Sequence, residues 1–196
     1  MKKFIALAAL ALLLLSLPAQ AQIYPIPDGL GIYFDTDATQ YCLDAFIGRL
    51  EIYLMLTNCS EPTGISGWEC HVTYNVPPDD VYMGWWLPDG SLNLSIPPDF
   101  VVGLGTPRPN APIILLAKLY LFVFPDDPIV FYVGPADLPS LPGVAVYAAG
   151  GNPGHLIQMH PTSGDTNTPV AAIFACGDMI DATETTTFGH VKVMFR

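Results

Sequence analysis

Residues 49–74 read RLEIYLMLTNCSEPTGISGWECHVTY, and this stretch decides the fold class. In residues 49–57 the aliphatic side chains at positions 50, 52, 54 and 56 fall on one side, and Arg49, Glu51, Tyr53 and Thr57 fall on the other; residues 68–74 repeat the alternation. A period of two is typical of a strand that buries one face. The turn formers of residues 58–64 separate the two strands by an irregular corner. The stretch therefore predicts a β-rich core.

The rest of the chain has the same character. Short apolar stretches, interrupted by many of the chain's 20 prolines and 17 glycines, read as about ten short strands. No segment has the caps and spacing of a long helix. These features predict an all-β fold, a two-sheet antiparallel β-sandwich that forms a single domain.

Two stretches require a choice of structure. Residues 113–124 form the longest apolar run after the N-terminus, and periodicity alone does not distinguish a buried helix from a strand. The strand-like neighbours favour a strand. Residues 91–96 alternate, with Leu92, Leu94 and Ile96 on one side, which predicts that these three side chains are buried.

The N-terminus has the pattern of an export signal. Residues 1–3 include two lysines, residues 4–15 are apolar, and residues 19–21 read Ala-Gln-Ala, a small-residue cleavage site. We expect a cleaved signal peptide at residues 1–21 and a mature domain at residues 22–196, located outside the cell, in a periplasm or on the cell surface. A retained membrane anchor is the alternative, but the apolar run is shorter than the ~20 residues that a span requires.

The charge balance disfavours two classes of partner. Without Lys2 and Lys3, five basic residues face 18 acidic ones, a net charge of about −13. Nucleic acids and anionic membranes are bound by clustered cations. We therefore expect neither as a partner of the mature domain.

Four cysteines follow the signal, namely Cys42, Cys59, Cys70 and Cys176. An even number in an oxidising compartment predicts two disulfides. Cys42 and Cys59 flank a predicted strand at opposite ends, too far apart to pair unless a loop doubles back. This favours pairing of Cys59 with Cys70 or with Cys176. A metal site is the alternative, but no two cysteines lie close in sequence.

Parts of the chain resemble a known family. Residues 54–58, 64–69 and 72–74 are similar to the opening of cohesin-like and related carbohydrate-binding-type jelly rolls, with a long strand, an Asn-containing turn and a Gly-led strand with an aromatic residue. Residues 187–196, TFGHVKVMFR, resemble the ending of small exported bacterial proteins of unassigned function. The resemblance implies a jelly-roll fold and an accessory, non-catalytic role.

An aromatic cluster is the candidate ligand site. Tyr82, Trp85 and Trp86 lie in one predicted strand, and exposed aromatic faces stack on the C–H faces of sugars. Adjacent strand residues point to opposite sides, so one tryptophan can fill the core while the other is exposed. The alternative is that both are buried.

Asp35 and Asp37 are the candidate metal ligands. Paired carboxylates in a turn can supply oxygen atoms to a structural calcium ion, although turn formation alone also explains them. No other cofactor is expected. Catalysis by the histidines would require them to converge with a carboxylate, and no such pattern shows. No nucleophile elbow is present either.

These features predict a non-catalytic protein. The leading hypothesis is an exported β-sandwich that binds an extracellular glycan or a cell-surface protein. One alternative is a structural subunit of a surface layer or filament that assembles through strand edges. The other alternative is a small secreted hydrolase.

Overall fold

The structure is a computed structural model that describes residues 26–75, 83–124 and 128–176. Within these ranges the chain forms twelve strands and no α-helix, so the all-β class is confirmed. The strands are β1 (Gly29–Tyr33), β2 (Cys42–Leu43), β3 (Gly48–Thr57), β4 (Ile65–Tyr74), β5 (Met83–Trp86), β6 (Ser91–Asn93), β7 (Asp99–Arg108), β8 (Ile113–Val123), β9 (Ile129–Gly134), β10 (Ala145–Ala149), β11 (Leu156–Pro161) and β12 (Ala171–Ile173).

These strands form one continuous mixed sheet. Its order is β2-β12-β9-β4-β10-β11-β1-β3-β8-β5, while β7 also pairs with β4, and β6 pairs with β7. Most pairs are antiparallel, but β1–β11 and β2–β12 are parallel. Parallel strands need a long connection, and most of the chain lies between β1 and β11. Because the parallel β1–β11 pair links the strands into one sheet, the expected two separate antiparallel sheets are not confirmed.

The sheet curls back so that its two halves enclose one core. Strand β5 ends the strand order, yet its Trp85 ring packs edge-on against Phe100 of β7, with centroids 4.9 Å apart. Phe100 also contacts Trp68 of β4, at 5.1 Å between centroids. The aliphatic side of residues 49–57 and the apolar side of residues 68–74 contribute to this core, as the alternation predicted. Each fully buried Leu or Ile contributes about 1.5–3 kcal/mol there.

Strand β8 confirms the strand interpretation of residues 113–124. It pairs with β3 along its length, from Gly48 opposite Val123 to Thr57 opposite Ile113. Strand β5 pairs with its other edge. A segment hydrogen-bonded on both sides is a central strand, and this pairing explains why its apolar run is so long.

The aliphatic side of residues 91–96 is exposed, so its predicted burial is wrong. The exposed fractions of Leu92, Leu94 and Ile96 are 66%, 75% and 84%. Strand β6 is short and, among the described strands, pairs only with β7. The alternation is real, but the described residues provide no second layer for this side to pack against.

The structure contains one disulfide, between Cys42 and Cys176. The parallel pairing of β2 with β12 places Ala172 opposite Cys42, and Cys176 follows shortly after, with a Cα–Cα distance of 5.6 Å to Cys42. The prediction that Cys59 pairs with Cys70 or Cys176 is therefore wrong. It failed because sequence spacing does not reveal which distant strands become neighbours.

Cys59 and Cys70 are free thiols, which also corrects the expectation of a second disulfide. Cys70 points from β4 into the core and has no exposed surface. Cys59 lies in the corner before β4, 3.7 Å from the Tyr147 hydroxyl. Burial raises the pKa of both thiols, so the reactive thiolate is disfavoured at each.

The predicted signal peptide at residues 1–21 and the family-like ending at residues 187–196 lie outside the described residues. Among the residues that are described, no helix is long and apolar enough to cross a membrane.

Candidate functional site

Strands β3, β8 and β5 present a shared outer face to solvent. Their register places Trp86 beside Lys118 and Lys118 beside Tyr53, and it places Gly84 beside Tyr120. The intervening residues point into the core, so these side chains point outward. We call this surface the outer aromatic face, and it comprises Arg49, Glu51, Tyr53, Gly84, Trp86, Lys118, Tyr120 and Phe122.

The two predicted tryptophans point to opposite sides. Trp85 packs against Phe100 in the core, while Trp86 is 41% exposed on the outer aromatic face. The third predicted ligand residue, Tyr82, lies outside the described residues. Trp86 is joined instead by Tyr53 and by aromatic residues of β8, which the sequence did not single out.

Charged groups hold the rings of this face. The Lys118 ammonium lies 5.2 Å from the Tyr53 ring centroid, 5.6 Å from the Trp86 centroid and 3.6 Å from Glu51 Oε2. The Tyr53 hydroxyl donates to Glu51 Oε2 at 3.1 Å. Burial and the neighbouring Glu51 raise the pKa of Tyr53, so its hydroxyl stays protonated. These cation–π and hydrogen-bond contacts restrict the rings. Tyr53 also packs against the small buried cluster of Tyr33, Ala38 and Met55.

Gly84 leaves open space beside Tyr120. The two residues are paired across β5 and β8, and a Cβ at position 84 would meet no atom within 4 Å. On the other side of β8, the Arg49 guanidinium lies 4.9 Å from the Tyr120 ring centroid. Farther along, Phe122 and Phe124 are 43% and 49% exposed. The face is therefore a mostly aromatic, open surface with adjacent hydrogen-bonding groups.

The predicted calcium ligands lie in the turn after β1. The backbone N–H of Thr39 donates to Asp35 Oδ1 at 2.9 Å, and its hydroxyl donates to Oδ2. Burial alone would raise the pKa of Asp35, but these hydrogen bonds outweigh it and lower the pKa. Asp37 is exposed. Within the described ranges, neither residue joins a group of three His, Cys, Asp or Glu ligands. Calcium binding there stays a prediction.

Three segments bring His71, Asp99 and Asp137 together on a different part of the surface. His71 Nδ1 lies 3.3 Å from Asp99 Oδ1 and 3.2 Å from Asp137 Oδ1. Sequence reasoning missed this cluster, because the residues lie in β4, at the start of β7 and after β9. The only signal in the sequence was that His71 lies on the polar side of its strand. That signal does not identify which residues lie near it.

Asp99 is the buried member of that cluster. Ser95 Oγ donates to its Oδ2 at 2.5 Å, and the Asp137 backbone N–H donates to its Oδ1 at 2.9 Å. Burial raises the pKa of Asp99, but the hydrogen bonds from Ser95, Asp137 and His71 outweigh burial and lower the pKa. The carboxylate is therefore ionised at neutral pH and held in one orientation.

A second buried carboxylate anchors the corner between β3 and β4. Asp28 accepts hydrogen bonds from the Tyr147 hydroxyl at 2.6 Å, from the Ser60 backbone N–H at 2.8 Å and from Ser60 Oγ at 2.6 Å. Burial and the hydrogen bond to Asp28 raise the pKa of Tyr147 far above its usual range. Tyr147 is fully buried. This network joins the segment before β1 to the corner and to β10, a structural role.

No family model, curated protein or solved structure matches this chain. The cohesin-like resemblance therefore stays a prediction. What this chain can bind is argued below from its own residues.

Proposed function

We propose that this protein is an exported, non-catalytic module that binds an extracellular glycan on its outer aromatic face. The observation that carries the proposal is the position of Trp86, Tyr53 and Tyr120 on three adjacent strands, with Lys118 and Glu51 between them. The signal-like N-terminus and the Cys42–Cys176 disulfide are consistent with an oxidising exterior.

The arrangement suits the two sides of a sugar ring. The C–H face of a pyranose is apolar and packs on aromatic surface, while its hydroxyls need hydrogen-bond partners at the edge. Trp86 and Tyr53 supply aromatic surface, and Lys118 and Glu51 supply a donor and an acceptor. A purely apolar protein partner would leave these charged groups without water or partners, at a cost in free energy.

The spacing favours an oligosaccharide over a single sugar. Trp86 and Tyr53 lie on strands either side of β8, and two strand spacings amount to about 9.5 Å. A ligand that contacts both would run across the strands and span more than one ring. The open space at Gly84 lies beside that line, next to Tyr120.

The charge distribution also distinguishes this face. The described residues contain three Lys or Arg side chains, and two of them, Arg49 and Lys118, lie here. The remaining one, Arg108, donates to the Leu115 carbonyl oxygen. In a chain with 18 acidic residues, this is where sugar hydroxyl or carboxylate groups would meet cationic donors.

The fold supports the same role. We infer that the two facing halves of the curled sheet correspond to the layers of a sandwich, as the cohesin-like, jelly-roll resemblance implies. Rigid strands, rather than loops, carry the outer aromatic face, so its rings keep their spacing in the absence of ligand.

Retention on immobilised polysaccharides and binding to a glycan array test the proposal. Trp86→Ala should weaken binding by about tenfold or more, equivalent to about 1.4 kcal/mol. Tyr41→Ala is the matched control, because Tyr41 is 40% exposed but adjoins β2 at the opposite end of the sheet order. Unchanged binding by both Trp86→Ala and Tyr120→Ala would reject the outer aromatic face.

A second candidate function is a subunit that assembles through strand edges. The observation that favours it is the exposed apolar side formed by Leu92, Leu94 and Ile96 at the edge strand β6. Such edges tend to pair with other chains unless they are protected. Size measurements across a concentration series should then show association that Leu94→Lys abolishes. A monomer at every concentration would exclude this function.

A further inference from the structure

We propose that His71, Asp99 and Asp137 bind a divalent first-row transition-metal ion, with Zn²⁺ as the reference case. The three side chains offer one nitrogen and two carboxylate oxygens that all lie within 4.8 Å of one another. The site lies on β4, β7 and the segment after β9, away from the outer aromatic face of β3, β8 and β5. It is therefore independent of the proposed glycan binding.

The nitrogen–oxygen separations within the cluster are compatible with coordination of one metal ion. In a tetrahedral site with bonds of about 2.0–2.1 Å, neighbouring ligand atoms lie about 3.3–3.4 Å apart. His71 Nδ1 lies 3.3 Å from Asp99 Oδ1 and 3.2 Å from Asp137 Oδ1. A charge-assisted hydrogen bond would be shorter, at about 2.7–2.9 Å. Without an ion, His71 Nδ1 and Asp99 Oδ1 form a long hydrogen bond. Both nitrogen–oxygen distances are also close to those of ligands around a common centre.

The ligands are held in place before any ion binds. Ser95 Oγ donates to the Asp99 oxygen that does not face His71, so the facing oxygen is oriented toward the imidazole. The backbone N–H of Asp137 donates to Asp99 Oδ1, which fixes the segment that carries the third ligand. His71 lies within β4. Such outer hydrogen bonds orient ligands in known metal sites and tune their affinity.

The donor set indicates which ion would bind. An imidazole with two carboxylates suits zinc and other first-row ions, whereas calcium takes six to eight oxygen atoms. Two carboxylates and a neutral imidazole carry two negative charges, which a divalent ion neutralises. Three protein ligands leave the fourth tetrahedral position for water or another ligand. The Asp137 side chain is 73% exposed and that of His71 is 28% exposed, so the site is open to solvent.

Titration calorimetry with ZnCl₂ on the full mature protein, after stripping with EDTA, tests the site. One equivalent should bind, and Co²⁺ in its place should give the intense visible absorption of a tetrahedral complex. Asp137→Asn should abolish stoichiometric binding. Because the Asp137 side chain is exposed, the substitution should not disturb folding, and circular dichroism checks this. Ser95→Ala should retain one equivalent but weaken affinity by about 10–100-fold, because it removes only the orienting hydrogen bond.

The control is His155→Asn. The His155 side chain is 60% exposed and adjoins Glu61 rather than this cluster, so its removal should leave the affinity unchanged. The proposal is overturned if the wild-type protein takes up no stoichiometric Zn²⁺. It is equally overturned if Asp137→Asn binds as tightly as the wild type, or if only His155→Asn loses binding.

Discussion

Removal of the Cys42–Cys176 disulfide should destabilise the protein by several kilocalories per mole. The bridge joins β2 to the end of the described chain across a sequence separation of 134 residues. In the chain-entropy description, closing a loop of that length removes about 17 cal/mol/K from the unfolded ensemble, or about 5 kcal/mol at 25 °C. Native disulfides of secreted domains typically contribute about 2–5 kcal/mol, so 5 kcal/mol is the upper end.

That loss is a large share of the stability of a typical domain, which is about 5–15 kcal/mol. The assay is urea unfolding followed by tryptophan fluorescence, comparing the oxidised wild type with the double variant Cys42→Ala/Cys176→Ala. The double variant should unfold at a lower urea midpoint than the oxidised wild type. Reductant should lower the midpoint of the wild type by a similar amount. The double variant itself should not respond to reductant.

Cys59→Ala is the matched control. Cys59 is a buried free thiol, so this variant keeps the bridge and should remain as sensitive to reductant as the wild type. Unfolded but unreduced wild-type protein should expose two titratable thiols, those of Cys59 and Cys70. A wild-type urea midpoint that does not change with reductant would refute the reasoning. So would a peptide map that places Cys59 or Cys70 in a disulfide.

Three further predictions concern stability. Tyr147→Phe should lower the free energy of unfolding by about 2 kcal/mol, because it removes a buried hydrogen bond to the Asp28 carboxylate; a loss under about 0.5 kcal/mol in urea unfolding would contradict this. Folding lowers the pKa of Asp35 below its unfolded value of 3.8. Its contribution to the free energy of unfolding is therefore complete above pH 3.8 and is lost as the pH falls through the lower folded pKa. With EDTA present, the free energy of unfolding of Asp35→Asn should fall less steeply than that of the wild type as the pH is lowered. An unchanged pH profile would count against this. Gly64→Ala should prevent stable folding, since φ is +74° and a Cβ would lie 1.9 Å from the Arg108 carbonyl oxygen; a variant with a wild-type melting temperature would exclude this.

Much of the fold was predictable because alternation is local. The apolar side of residues 49–57 follows from a period of two along one strand, and so does the placement of Trp85 and Trp86 on opposite sides. The sequence did not say which of the two tryptophans faces the core. The same rule was wrong for Leu92 and Leu94, because alternation shows which side chains share a face and not whether another layer covers that face.

The candidate sites were predictable only in part. Trp86 was identified from its own sequence neighbourhood, but Tyr53 and Lys118 joined it because β3 and β5 flank β8. The cluster of His71 with Asp99 depends on the pairing of β4 with β7, for which the sequence carries no local signal.

The sequence by itself determined that the chain forms strands, which face of each strand is apolar, and that the molecule is strongly acidic. The tertiary structure alone decided that β1 runs parallel to β11, that Cys42 meets Cys176, and which side chains gather on each surface. The physical reason is the distance along the chain over which each effect acts. Side-chain alternation acts between adjacent residues, whereas strand partners are chosen by the burial and hydrogen bonding of the whole sheet at once.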